Sequence, residues 1–130
     1  MTPYTKKIYK NGLTLLTVPI PTALSITMSI FVKAGSRYEE PWLNGISHFL
    51  EHLHFKGTKK YPTAKKFSEV IDAIGGELNA NTGKEHTQYY IRAASHHLPL
   101  IVDALTDLLQ NPLFDAKEME KEKGVIIEEI

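Results

Sequence analysis

The sequence lacks cysteine altogether. Disulfides and thiolate metal sites are therefore excluded, and any metal ion has to be held by histidine, aspartate or glutamate. The chain also lacks an excess of charge of either sign, because 15 basic residues balance 15 acidic ones. This balance gives no electrostatic reason to expect a nucleic-acid partner or an anionic membrane surface.

Long hydrophobic runs are missing as well. No apolar stretch is long enough to span a bilayer, and the opening MTPYTKKIYKNGLTLL lacks the apolar core of a signal peptide. With 130 residues, 42% of them hydrophobic, the chain can form one modest core, so we expect one domain or part of one. The last residues, EKEKGVIIEEI, have no helix stop signal, which favours a piece of a longer protein.

What is present is an alternation of strand and helix patterns. Two β-rich segments flank Asn11-Gly12, a pair typical of a tight hairpin, and a third alternating segment covers residues 24–35. Two helices follow, the first capped by Asn44 and the second by Thr63, and then come two strands and two helices. The order β-β-β-α-α-β-β-α-α predicts an α+β fold in which an antiparallel or mixed sheet packs against helices.

The first predicted helix, ISHFLEHLHF, concentrates histidines. At about 100° per residue, His48, Glu51 and His52 lie nearly opposite an apolar face. That face consists of Ile46, Phe49, Leu50 and Leu53. Two imidazoles four residues apart can reach one ion, and the carboxylate beside them can take a proton from water. These residues alone also fit a solvated polar face, so both interpretations stay open at this point.

His54 lies about 120° from the His48 side of the helix and is expected to be structural. Surface or structural roles are also expected for His86, His96 and His97.

Two histidines do not complete a ligand set, and the final helix is rich in glutamate. Glu122 and Glu129 are seven residues apart and project from nearly the same face, with Val125 and Ile126 between them. A partly buried carboxylate needs a partner, which a metal ion or a ligating histidine would provide. The alternative is an ordinary acidic helix. Glu118 is expected to belong to the helix cap at Asp115, and Glu120 and Glu128 to face solvent.

The motif His48-Phe-Leu-Glu51-His52 is H-x-x-E-H, the inverted zinc-peptidase motif. The chain resembles the pitrilysin and insulin-degrading-enzyme family of metallopeptidases, and within it the branch of the mitochondrial processing peptidase and its bacterial relatives. The segments GSRYE, HFKGTKKYP, GGELNANTGKEHTQYY, NPLF and EKEKGVIIEEI resemble family segments in the same order. The resemblance covers nearly the whole chain, with a looser match over the first two strands.

The resemblance implies a role for each matching residue. His48 and His52 would be zinc ligands, Glu51 the general base, and Glu129 the third protein ligand. Glu122 would support the site. The segment Asn79-Ala80-Asn81 matches the edge strand along which the family binds an extended peptide. Phe55 would help line a side-chain pocket, although packing at the helix end explains it equally well.

The family's two-domain architecture implies that residues 1–130 are an incomplete N-terminal peptidase domain without the later strands and the second domain. We therefore expect a zinc endopeptidase that hydrolyses extended or unfolded peptides, with a segment that is itself inactive. Its expected partners are a peptide, the second domain of the parent chain, and a homodimeric or heterodimeric subunit, in a prokaryotic cytoplasm rather than an organelle. The alternative is a non-catalytic structural or partner subunit of the same family.

Overall fold

The computed structural model describes residues 3–129, so Met1, Thr2 and Ile130 of the predicted domain lie outside it. The elements follow the predicted order and all strands pair antiparallel, which confirms the α+β class. The strands are β1 (Thr5–Ile8), β2 (Thr14–Thr17), β3 (Ser25–Val32), β4 (Glu77–Thr82) and β5 (Thr87–Ala94). The helices are α1 (Ile46–His54), α2 (Ala64–Ala73), α3 (Leu98–Gln110) and α4 (Ala116–Glu129). No helix within residues 3–129 is both long enough and apolar enough to cross a bilayer.

The first two strands form a separate hairpin, as the Asn11-Gly12 pair predicts. Gly12 has a φ of 87°, a left-handed conformation that favours glycine, and Asn11 Oδ1 accepts a hydrogen bond from the Leu13 amide. All eight strand residues of β1 and β2 are exposed. The hairpin therefore contributes little to the core.

The core lies between a three-stranded sheet and two helices. The sheet order is β3-β5-β4, and the central strand β5 alternates between buried and less buried residues, as expected for a strand with one face covered. Its buried side packs against α2 and α3. The fully covered large residues of this cluster are Ile71, Ile91, Ile101, Leu105 and Leu108.

The predicted cap of α1 is wrong. Asn44 makes no side-chain cap, and Gly45, with a φ of 90°, precedes the helix. Glu39, in the preceding loop, caps the helix instead. Its Oε2 accepts a hydrogen bond from the Gly45 amide at 2.7 Å, and its Oε1 accepts one from the Ser47 amide at 2.9 Å. Burial raises the pKa of Glu39, but the hydrogen bonds from Ser47 and Gly45 outweigh it, so the pKa lies below its ordinary value.

The apolar face of α1 is only partly buried. Leu53 is covered, but Leu50 is 37% exposed, contrary to its predicted core position. Ile46 and Phe49 are half-buried and line an open apolar depression of about 370 Å³ together with Trp42 and Ile126. The polar face of α1 meets α4 and β4, which brings distant parts of the chain to the histidines.

Candidate metal and catalytic site

The two histidines of α1 converge on one point. Their Nε2 atoms are 3.0 Å apart and the rings meet edge to face, with 4.6 Å between centroids. The spacing of four residues produces this arrangement, because positions i and i+4 lie one above the other on a helix. Both side chains are half-buried.

Glu129, in the last turn of α4, reaches the same point. Its Oε2 lies 3.6 Å from His48 Nε2 and 3.8 Å from His52 Nε2. Donors bound at about 2.0–2.2 Å to a tetrahedral zinc ion lie about 3.3–3.6 Å from one another. Within residues 3–129, His48, His52 and Glu129 form a group whose ligand atoms all lie within 4.8 Å of one another, which is close enough to share one metal ion.

Glu122, one helical repeat before Glu129, lies behind His52. It is 3% exposed, its Oε1 is 2.7 Å from His52 Nδ1, and its Oε2 pairs with the Lys56 ammonium group. Burial raises the pKa of Glu122, but the hydrogen bonds from Lys56 and His52 outweigh it and leave the pKa below its ordinary value. A carboxylate facing Nδ1 makes Nδ1 the protonated nitrogen, so the Nε2 lone pair of His52 is free to bind a metal.

Glu51 lies on the same side of α1, and a strand holds its carboxylate. The hydroxyl of Thr82, at the end of β4, donates to Glu51 Oε2. Sequence reasoning missed both Thr82 and Lys56. Strand alternation carried a signal for Thr82, because it lies on the same face as Leu78 and Ala80, the face of β4 that is turned toward α1.

The segment Asn79-Ala80-Asn81 lies in β4, and β4 is an edge strand of the sheet that residues 3–129 form. Asn79 and Asn81 are exposed, and the amide of Ala80 donates to Asn79 Oδ1 at 2.9 Å. Phe55 lines a depression of about 340 Å³ that also contains Asn79, Ala80, Glu51 and His52. Phe55 also packs against Tyr89, with ring centroids 6.1 Å apart, so its ring both lines this depression and packs at the end of α1.

The other histidines lie away from the cluster. His54 Nδ1 is 2.6 Å from the Leu50 carbonyl oxygen, and its ring packs on Tyr89. Burial, with a further contribution from the charge of Glu51, raises the pKa of Tyr89 to about 12. His86 packs on Phe31, and the rings of His96 and His97 lie 4.0 Å apart.

Comparison with known families identifies the fold's relatives. The model of the Insulinase family (Peptidase family M16) matches residues 14–130. The chain belongs to this family. The assignment to the M16 family confirms the peptidase family that the motifs resemble.

Individual M16 relatives match over almost the whole chain. An uncharacterized zinc protease of Rickettsia bellii is 47% identical over 121 residues, which are 93% of this chain and 29% of the relative. The β subunit of the mitochondrial processing peptidase of Saccharomyces cerevisiae is 44% identical over 92% of this chain and 26% of its own length. The crystal structure of a Helicobacter pylori protease superposes with a TM-score of 0.92 at 29% identity, covering 98% of this chain and 31% of that protein. The chain therefore spans roughly a quarter to a third of the length of these relatives.

Proposed function

We propose that the whole protein carrying this chain is a zinc-dependent endopeptidase that hydrolyses extended or unfolded peptides. The observation that carries the proposal is the meeting of His48, His52 and Glu129, with Glu51 lining the same depression as His52. The zinc protease names of the relatives from Rickettsia, Streptomyces and Bacillus support the same conclusion.

The donor set fits zinc. Two imidazole nitrogens and one carboxylate oxygen form a set that catalytic zinc sites use, and their mutual distances of 3.0, 3.6 and 3.8 Å are close to those of a tetrahedral site. Glu122 would support the site by fixing the orientation and tautomer of His52. His48, His52 and Glu129 would thus hold the ion and leave a position open for water or substrate.

Glu51 is the proposed general base. Zinc held by the three ligands would supply Lewis acidity, which polarises a carbonyl group and makes water a better nucleophile near neutral pH. The Glu51 carboxylate takes one proton from the attacking water, and the water oxygen bonds to the peptide carbonyl carbon. When the C–N bond breaks, that proton passes to the departing amine nitrogen.

β4 is the proposed peptide-binding strand. An extended peptide would pair with its open edge at Asn79-Ala80-Asn81 through main-chain hydrogen bonds. Its side chains would alternate in direction, so one of them would enter the depression lined by Phe55. A folded protein could not offer such a strand, and this is why extended or unfolded segments are the proposed substrates.

We further infer that residues 1–130 are part of an N-terminal domain and that a second domain of the parent chain completes the enzyme. The share of 26–31% of the relatives' length supports this inference. The relationship to a processing-peptidase β subunit supports dimer formation as a further proposal. A prokaryotic cytoplasm stays the predicted compartment, and fractionation of the source cells would test it.

The decisive experiment measures zinc content and peptide cleavage for the whole protein, its Glu51→Gln variant and the matched control Glu69→Gln, whose side chain is exposed on α2. We expect about one equivalent of zinc in all three proteins and a loss of kcat of about 100-fold or more for Glu51→Gln alone. A wild-type protein without zinc and without cleavage would instead support the non-catalytic subunit.

A further inference from the structure

The carboxylate of Glu51 has one hydrogen-bond partner among residues 3–129, the hydroxyl of Thr82. Thr82 belongs to β4 and Glu51 to α1, 31 residues earlier in the chain. The bond involves Oε2, so Oε1 has no hydrogen-bond partner within the described part of the chain. The carboxylate is thus held at one oxygen and accessible at the other.

The neighbouring hydroxyl explains why the Thr82 proton points at Glu51. Thr87 pairs with Thr82 across the sheet, is 3% exposed, and donates its single hydroxyl proton to the Ala34 carbonyl oxygen at 3.0 Å. The two threonine oxygens are 3.4 Å apart, too far for a strong bond. Because a carboxylate is the stronger acceptor, the single proton of Thr82 goes to Glu51.

We propose that Thr82 is a positioning residue that orients the Glu51 carboxylate for proton transfer. This inference rests on the proposed peptidase function. Thr82 lies two residues beyond Ala80 on the strand proposed to bind the peptide, so one strand would place both the substrate and the base. With Oε2 held by Thr82, Oε1 is the oxygen that receives the proton.

The consequence is a specific kinetic signature. Loss of the hydroxyl leaves the zinc ligands and the β4 edge in place but lets the Glu51 side chain rotate away from its productive position. Misplacement of a reacting group by about 1 Å costs up to about 100-fold in rate. Thr82→Val should therefore lower kcat by about 10- to 100-fold, while KM and the zinc dissociation constant change less than about threefold.

The test uses the whole zinc-loaded protein and three variants. Thr82→Val removes the hydroxyl at constant shape, Thr82→Ser keeps it, and Thr27→Val removes an exposed hydroxyl from β3 as a control. For each, kcat and KM are measured on a quenched peptide and the zinc dissociation constant by chelator competition. Crystal structures of the wild type, Thr82→Val and Thr82→Ser report the orientation of Glu51 independently of cleavage.

The inference holds if Thr82→Val loses kcat, Thr82→Ser restores it to within about threefold, and Glu51 is displaced in the valine variant alone. In a Glu51→Gln background, Thr82→Val should cause no further loss, because the two residues act as a unit. An active Thr82→Val variant with unchanged Glu51 would overturn the inference and leave the peptidase proposal intact. A wild type that neither binds zinc nor cleaves would overturn the peptidase proposal, and with it the inference.

Discussion

At the scale of single residues, Glu122 and Glu129 share one face of α4 but have opposite surroundings. Glu122 is 3% exposed and uses both oxygens, one toward His52 and one toward Lys56. The side chain of Glu129 is 46% exposed and reaches both imidazoles. Since the oxygens of Glu122 are already engaged, Glu122 is suited to orient His52, and Glu129 is suited to bind the metal.

This difference makes the ligand assignment testable. Glu129→Gln should weaken zinc binding by more than about 100-fold, which is the upper end of the effect of losing a residue that only orients a ligand. Its neighbour Glu128 is also exposed and provides the matched control, and Glu128→Gln should leave the affinity within about threefold. Chelator competition on the whole protein measures both values. Equal effects of the two substitutions would contradict the assignment of Glu129.

The sequence predicted these site residues to different degrees. Helical periodicity placed His48 beside His52 and Glu122 in line with Glu129, because both relations lie within one helix. Lys56 and Thr82 were missed, since each contacts the site only after α1 packs on α4 and β4. Strand alternation places Thr82 on the inner face of β4 but does not say which helix residue it meets, and no spacing pattern links Lys56 to Glu122.

At the scale of elements, the position of α1 depends on the loop that precedes it. The first amides of a helix need acceptors, and here Glu39 supplies both oxygens to the turn that leads into His48. The expectation of an Asn44 cap failed because Asn44 lies one residue before the N-cap, Gly45, and because only the fold of the intervening loop brings the Glu39 carboxylate to the start of the helix. The order of strands and helices was predictable because hydrophobic periodicity and turn residues are local signals.

The corrected cap gives a stability prediction. Glu39→Gln removes one of the two acceptors and the charge, and should lower the free energy of unfolding by about 1 kcal/mol at pH 7. Asn44→Ala should change it by less than about 0.5 kcal/mol, because Asn44 is exposed and makes no cap. Urea denaturation of the whole protein measures both. A larger effect at Asn44 would restore the original cap assignment.

The Glu39 carboxylate should also make the stability of the folded protein depend on pH. The pKa of Glu39 is lower in the folded protein than its ordinary value of 4.5. The contribution of Glu39 to the free energy of unfolding is therefore fully present above pH 4.5 and is lost as the pH falls through the pKa of the folded state. The difference in unfolding free energy between wild type and Glu39→Gln should therefore shrink as pH falls below 4.5.

At the scale of the whole molecule, residues 3–129 leave several apolar surfaces exposed. The β1–β2 hairpin is exposed on both faces, and Trp42 is 78% exposed beside the apolar side of α1. Leu50, 37% exposed, is likewise less buried than its helical pattern predicts. Periodicity identifies an apolar face, but the element that covers the face belongs to tertiary structure.

The last turn of α4 decides how well the 130-residue segment alone would bind zinc. Glu129 lies at the end of that helix, and ordering a single residue costs about 1–2 kcal/mol. Each 1.4 kcal/mol is about a factor of ten in affinity, so the isolated segment should bind zinc about 5- to 30-fold more weakly than the whole protein. Without the proposed second domain, the segment should also show no measurable cleavage of the quenched peptide.

Chelator competition and cleavage assays on the segment, on a version extended beyond α4 and on the whole protein separate the loss of zinc affinity from the loss of cleavage. Extension should restore zinc affinity but not cleavage, and full activity of the bare segment would contradict the need for a second domain.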